Sequence, residues 1–165
     1  MKKIFVFIGL LTLLLSCEPE VKYPIVPNIK FVSLEKISND LGYDYKANLK
    51  FYFEDGDGDI GLDNITEDLQ PPFDTSSIYH YNFFIKYYEK QNGTFVKVDL
   101  PVEQNARIPR LSNNTPESID GEISIEVFIN NFASQYDTVR FEFFIVDRSL
   151  HHSNTVTTPE IIINK

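Results

Sequence analysis

The sequence of 165 residues predicts an all-β protein, an antiparallel β-sandwich of about seven strands. Several short segments alternate apolar and polar side chains, which is the pattern of a half-buried strand. Phenylalanine and tyrosine are abundant, with 14 and 9 residues, and aromatic side chains favour strands. No segment carries a convincing helical pattern or an internal repeat. Short strands separated by loops are typical of immunoglobulin-like or fibronectin type III-like sandwiches, although the chain has no tryptophan and too few cysteines for a core disulfide.

The clearest predicted strands lie at residues 47–54, 121–129 and 138–147, where every second residue is apolar. The inward-facing set is predicted to be Leu49, Phe51, Phe53, Ile123, Ile125, Val127, Ile129, Val139, Phe141, Phe143 and Ile145. Less regular strands are expected at residues 28–35, 79–90, 94–99 and 155–163. Asn92-Gly93 is typical of a type I′ turn and should join two of them. Pro159 lacks an N–H group, so it places the last strand at a sheet edge.

The N-terminus predicts an export signal and a lipid anchor. Residues 4–15 form an apolar run after a basic start, too short for a transmembrane helix of about 20 residues. The ending Leu14-Leu15-Ser16-Cys17 resembles a bacterial lipobox, which implies cleavage before Cys17 and attachment of acyl chains such as palmitate to it. This also explains the single cysteine. The alternative is an ordinary secretory signal in which Cys17 is incidental.

The predicted organisation is a signal peptide at residues 1–16, a lipidated cysteine and tether at 17–27, and one sandwich domain at 28–165. No aspartate follows Cys17, so the common inner-membrane retention signal is absent, and we expect an outer-membrane lipoprotein on the periplasmic or cell-surface face. The formal net charge is −9 at pH 7. An acidic surface argues against nucleic acid as a partner.

One stretch carries the candidate chemistry. The predicted second strand runs into Asp55, Asp57 and Asp59, which alternate with two glycines. Glycine lets the chain curl tightly, so several carboxylates can point toward one centre. Ca²⁺ takes six to eight oxygen ligands, whereas Mg²⁺ keeps its waters and takes few carboxylates. We therefore predict a calcium site, with Asp63 as a further ligand. The alternative is a solvated acidic turn that binds no ion.

The spacing matches only the first half of an EF-hand loop. The sixth position of that loop requires glycine and here is Ile60, and the twelfth requires glutamate and here is Thr66. No helix is predicted upstream. The motif is therefore interpreted as an aspartate-rich calcium loop on a β-scaffold.

Strand direction in such a sandwich brings distant loops to the same end. The loop after the second strand, the segment 100–118 and the loop 147–154 should meet there, so Asp147 is a candidate ligand of the same ion. The alternative for Asp147 is a pairing with Arg148 or a role in the turn. The first strand also begins at this end, so a cation there would stiffen the part of the domain next to the tether.

The motif as a whole resembles a group of small surface lipoproteins of Bacteroidota. The resemblance rests on Phe53-x-Asp55-Gly-Asp-Gly-Asp-Ile-Gly61 and on the later pairs Asp147-Arg148, Ser153-Asn154 and Thr158-Pro159. It implies cell-surface location, a sandwich architecture and metal ligation by Asp55, Asp57 and Asp59. It implies no particular activity.

A second candidate surface lies on the outer face of the predicted third and sixth strands. Phe84, Tyr88 and Phe144 point away from the core and could form an apolar patch for a protein or glycan partner. The alternative is that one of the long proline-containing connections covers the patch. Together these features predict a non-enzymatic binding or accessory module of an envelope complex. The alternative function is a metal-dependent hydrolase that uses the same aspartates.

Overall fold

The computed structural model describes residues 22–64, 66–112 and 117–165. The predicted signal peptide and Cys17 lie outside these residues. Within the described ranges, no helix is both long and apolar enough to cross a membrane.

The described chain forms eight strands and two 3₁₀ turns. The strands are β1 (Asn28–Ser38), β2 (Asp44–Asp55), β3 (Phe83–Gln91), β4 (Thr94–Val98), β5 (Ile119–Phe128), β6 (Thr138–Ile145), β7 (Val156–Thr157) and β8 (Ile161–Ile162). The 3₁₀ turns, at Glu67–Leu69 and Ile78–His80, lie in the connection between β2 and β3. The third strand begins at Phe83 rather than at the predicted residue 79. The intervening residues include the 3₁₀ turn Ile78–His80, which the side chain of Ser77 caps. The last predicted strand is two short strands on either side of Pro159.

The strands form two antiparallel sheets, so the predicted β-sandwich is confirmed. One sheet has the order β1-β2-β5, and the other has the order β4-β3-β6-β7, with β8 also paired to β6.

The core lies between the two sheets and contains the predicted inward-facing residues. Phe51 of β2 is fully buried, and its ring centroid lies 5.9 Å from that of Phe83 and 5.3 Å from that of Phe143. Aromatic rings at these separations contribute packing energy beyond the area that they bury. Ile123 and Ile125 of β5 are only partly buried but pack against the same cluster.

The turn between β3 and β4 has the predicted geometry. Asn92 and Gly93 have φ angles of +53° and +85°, which is the pair of positive values that a type I′ turn requires. This turn therefore fixes the hairpin at the end of the sandwich opposite the aspartates.

Three connections meet at the other end, where β2 and β6 finish. The backbone N–H of Arg148 donates to the carbonyl of Asp59, and the N–H of Leu62 donates to the carbonyl of Ile108. These bonds join the loop after β2 to the loop after β6 and to the connection between β4 and β5. The three segments therefore meet at one end of the sandwich, as predicted.

Candidate metal centre

The Asp loop, which we define as residues 55–61, is a tight curl that requires glycine. Gly58 has a φ angle of +67°, a conformation that L side chains rarely adopt. A Cβ atom at this position would also lie 2.4 Å from the carbonyl oxygen of Glu117. The curl is therefore closed by a backbone contact from the segment that precedes β5.

The curl brings the carboxylates of Asp55, Asp57 and Asp59 together, with one ligand oxygen from each lying within 4.8 Å of the others. The Oδ1 atom of each of these residues is buried and has no hydrogen-bond partner. Buried acceptors without a partner are rare in folded proteins, and each costs free energy. Three converging carboxylates, each with one such oxygen, form a set of donors that matches a hard cation.

The second oxygens of two of these carboxylates are held by protein donors. Asp55 Oδ2 accepts the backbone N–H of Asp59 at 2.9 Å. Asp59 Oδ2 accepts the backbone N–H of Ser149 at 3.0 Å and its hydroxyl at 2.8 Å. These bonds fix the orientation of each carboxylate while its Oδ1 atom stays unpaired. Asp55, Asp57 and Asp59 would hold the ion, and the chemistry fits Ca²⁺ because carboxylates are its preferred ligands.

The charges of the cluster act strongly on Asp55, which is fully buried. Burial, and after it the neighbouring charges of Asp57, Asp59 and Asp147, together raise the pKa of its carboxyl group to about 7. A carboxyl group with so high a pKa is partly protonated near neutral pH when no cation is present. The site therefore favours either a proton or a metal ion at Asp55.

Asp147 lies close enough to interact electrostatically with Asp55 and Asp59, but it is not one of the three converging residues. Its carboxylate is buried, and burial raises its pKa. Asp147 Oδ1 accepts the backbone N–H of His151 at 2.7 Å, and Oδ2 lies 2.9 Å from the Nδ1 atom of the same histidine. Asp147 thus holds the turn after β6, and its partner there is His151 rather than Arg148.

Asp63 lies in a different polar network, away from the converging carboxylates. Its Oδ1 atom accepts the backbone N–H of Arg110 at 3.2 Å, and its own N–H donates to Asp68 at 2.7 Å. Arg110 in turn forms a two-pronged ion pair with the buried Asp68, with contacts of 2.7 and 2.8 Å. We therefore leave Asp63 out of the ligand set that we propose below, because it is not one of the three residues whose carboxylates converge.

The long connection between β2 and β3 is a packed loop, as the sequence predicts for a connection of this length. Its organising group is Arg107, whose guanidinium donates to four backbone carbonyls of the loop, those of Asp63, Asp68, Phe73 and His80. Arginine carries five N–H donors in a rigid plane, so one side chain can hydrogen-bond several backbone segments at once. Sequence reasoning did not identify Arg107, because nothing around it marks a site.

Two of the residues predicted to form a partner surface lie in an aromatic stack on the outer face of the five-stranded sheet. Phe84 and Phe144 are paired across β3 and β6, with ring centroids 4.9 Å apart and planes 10° from parallel. His152 stacks on the other side of Phe144 at 5.4 Å. Tyr88 is half-buried, and its hydroxyl donates to Glu142 at 2.7 Å.

This stack borders a groove rather than a flat patch. A cavity of about 570 Å³ opens beside Phe84 and Phe144, and the connection after β4 forms its other wall. The sequence left open that a proline-containing connection covers the aromatic residues. The connection after β4 lies beside them instead, and Phe84 and Phe144 both line the groove. A second cavity of about 370 Å³ adjoins it at Phe84 and includes Ser77 and His80. The carboxylates of Asp55, Asp57 and Asp59 line neither of these two cavities.

Comparison with known proteins finds no family model, no curated protein and no solved structure that matches this chain. The resemblance to Bacteroidota surface lipoproteins therefore stays a prediction.

Two residues that orient the site were missed at the sequence level. Ser149 donates twice to Asp59, and His151 holds Asp147. Ser149 and His151 both follow β6 and lie within four residues of Asp147. The prediction that the loop 147–154 meets the Asp loop therefore indicated the right segment. Only the folded chain shows which of its side chains reach the carboxylates.

Proposed function

We propose that Asp55, Asp57 and Asp59 bind Ca²⁺, with Asp147 as an acidic neighbour of the ion. The observation that carries this proposal is the convergence of three carboxylates, each of which has one buried oxygen without a partner in the protein. A divalent cation removes their mutual repulsion and provides the missing partner for each. Because the loop joins the end of β2 to the turn after β6, the ion would stabilise the fold at this end of the sandwich.

On this basis we propose that the protein is a calcium-stabilised lipoprotein, anchored to the outer membrane through Cys17. It would act as a non-enzymatic binding or accessory module of an envelope complex. The groove beside Phe84 and Phe144 is the surface that best suits a protein or glycan partner, because it combines aromatic side chains with charged ones such as Lys86 and Glu103. An acidic protein of this kind is a poor ligand for nucleic acid.

Isothermal titration calorimetry with Ca²⁺ tests the metal assignment directly. We expect one Ca²⁺ per chain, and binding of Mg²⁺ that is at least about tenfold weaker, because Mg²⁺ gives up its waters reluctantly. Asp57→Asn should abolish binding, since it removes one of the three converging carboxylates. Asp40→Asn is the matched control, because Asp40 is exposed in the turn at the opposite end of β2. Undiminished binding by Asp57→Asn would show that the ligands are wrongly assigned.

A metal-dependent hydrolase is the second candidate function, and one observation favours it. The imidazole of His151 is partly exposed and is held by the buried Asp147 beside the acidic cluster. A histidine oriented by a carboxylate is a common general base. A hydrolysis assay distinguishes the binding module from the hydrolase. It measures the release of p-nitrophenol from p-nitrophenyl phosphate and p-nitrophenyl acetate in the presence of Ca²⁺, Mg²⁺ or Zn²⁺. We expect no metal-dependent rate; a rate that disappears in both Asp57→Asn and His151→Ala would establish an enzyme.

A further inference from the structure

The tether segment, which we define as residues 22–27, lies directly on the Asp loop. The backbone N–H of Gly56 donates to the carbonyl of Pro24 at 2.8 Å. The carbonyl of Gly56 accepts the hydroxyl of Ser118 at 3.2 Å, and the same hydroxyl accepts the N–H of Tyr23 at 3.3 Å. Both polar backbone groups of Gly56 are therefore used to hold the tether segment, one directly and one through Ser118.

Gly56 permits this contact because it has no side chain. A Cβ atom at this position would lie 2.4 Å from the carbonyl oxygen of Tyr23 and 2.8 Å from the carbonyl group of Pro24. Both neighbours are backbone atoms, which cannot swing aside as the end of a flexible side chain can. The φ angle of Gly56 is not positive, in contrast to that of Gly58, so the requirement for glycine here comes from the close approach of the tether segment.

The tether segment has little apolar packing of its own. The side chains of Ile25 and Val26 are 57% and 47% exposed, and Lys22 is also exposed. Pro27 is the buried residue of the segment, immediately before β1. Tyr23 has one further contact, between its side chain and that of Tyr52 on β2. The position of Tyr23 and Pro24 thus depends mainly on polar contacts with the Asp loop and its neighbour Ser118.

We propose that cation binding at the Asp loop latches the tether segment onto the domain. This inference rests on the proposed calcium site, because Gly56 lies between two of its ligands, Asp55 and Asp57. A bound cation fixes the curl of the loop and so orients the N–H and the carbonyl of Gly56 toward Pro24 and Ser118. Without the cation the three carboxylates repel one another, and the backbone between them loses that fixed orientation.

The coupling works in both directions. If the cation favours the latched tether segment, the latched segment raises the affinity for the cation by the same factor. The five Cα-to-Cα steps from Cys17 to Lys22 span at most about 18 Å when fully extended. A latched tether segment would therefore hold the sandwich at a set orientation close to an anchored Cys17, and an unlatched one would let it swing.

Limited proteolysis of the purified full chain tests the latch. Endoproteinase Lys-C cleaves after Lys22, which is exposed but directly precedes the held residue Tyr23. We expect the cleavage rate after Lys22 to fall about tenfold in Ca²⁺ relative to a chelator, within the usual range of coupling between linked sites. A free lysyl peptide in the same reaction reports any direct effect of Ca²⁺ on the protease. Asp57→Asn should be cleaved rapidly in both conditions.

Gly56→Ala separates the latch from the metal site, because it leaves every carboxylate in place. We expect rapid cleavage after Lys22 with and without Ca²⁺, together with Ca²⁺ binding that is about fivefold weaker or more by calorimetry. Ser118→Ala gives a milder second variant in case Gly56→Ala does not fold, and Ser124→Ala on the exposed side of β5 is its control.

The outcomes distinguish the two proposals. If calorimetry detects no Ca²⁺ binding to the unmodified chain, the calcium site is wrong and the latch with it. If Ca²⁺ binds but cleavage after Lys22 is equally fast with and without it, or if Gly56→Ala is protected as well as the unmodified chain, the latch alone is overturned.

Discussion

Without metal, the protein is expected to lose stability as the pH rises from about 4 to about 7. The pKa of Asp55 is raised from 3.8 to about 7 in the folded chain, mainly by burial and then by the charges of Asp57, Asp59 and Asp147. Between these two values the folded protein keeps a proton that the unfolded chain has released, so raising the pH favours unfolding. A difference of this size corresponds to at most about 4 kcal/mol.

Two other groups act in the same direction, Asp147 from about pH 4 upward and His151 from about pH 6.5 upward. The pKa of Asp147 is raised by its burial, and that of His151 is raised by its hydrogen bond to Asp147. Both groups therefore bind protons more tightly in the folded chain, and the stability that they contribute also falls as the pH rises.

In Ca²⁺ the dependence on pH should reverse. The cation binds the ionised carboxylates, so its contribution to stability grows as the carboxyl groups lose their protons. Urea unfolding at pH 4.5 to 8, with either a chelator or Ca²⁺, measures the two slopes. We expect opposite signs. Parallel slopes would show that Asp55 is ionised in the metal-free protein, or that Ca²⁺ does not bind there.

Asp55→Asn isolates the residue responsible. It removes the buried charge but keeps an oxygen that can accept the N–H of Asp59, so the metal-free variant should be more stable than the parent at pH 8. The same variant should gain nothing from Ca²⁺. Asp40→Asn, in the exposed turn before β2, should change neither slope. If Asp55→Asn is more stable than the parent without metal and does not respond to Ca²⁺, then Asp55 contributes to metal binding and destabilises the metal-free protein.

Ca²⁺ at a concentration of 100 times its dissociation constant is expected to raise the melting temperature by roughly 5–10 °C. The basis is the linkage of binding to folding, which gives about 2.7 kcal/mol at that concentration. For a domain of this size, each kcal/mol moves the melting temperature by about 2–4 °C. Scanning calorimetry in Ca²⁺, and again after addition of excess chelator, measures the shift and its reversal.

The shift should depend on the free carboxylate oxygens. Asp57→Asn should melt at the same temperature with and without Ca²⁺, whereas Asp63→Asn should keep most of the shift, because Asp63 is not among the three converging carboxylates. This pair is a sharp test, since the two aspartates lie only six residues apart. If Asp63→Asn removes the shift and Asp57→Asn does not, the ion lies elsewhere in the loop.

Local patterns account for most of the fold. The alternation in β2 and β6 identified side chains that are fully buried, such as Phe51 and Phe141, because the period of two in a strand depends only on neighbouring residues. Asn92-Gly93 gave the type I′ turn for the same reason, since its geometry is set within four residues. Pro159 was expected only to mark an edge, and in the folded chain it also separates β7 from β8.

The positions of the aspartates show where such local patterns stop. Asp55, Asp57 and Asp59 belong together because two glycines curl the chain between them, which is a local effect. Asp63 lies four residues after Asp59, and its carboxylate accepts the backbone N–H of Arg110, which is 47 positions distant in sequence. Spacing alone treats the fourth aspartate as equivalent to the other three, because it contains no information about which distant donor will reach it.

Adjacent residues set the alternating strands, the turn at Asn92-Gly93 and the cluster of aspartates on a glycine-rich curl. Each of these follows from the conformational preferences of neighbours in the chain. Three other contacts arise only when the chain folds: Ser149 orients Asp59, His151 holds Asp147, and Pro24 lies on Gly56. These contacts join residues on different loops, and which loops meet is set by the pairing of the strands and the packing of the two sheets together.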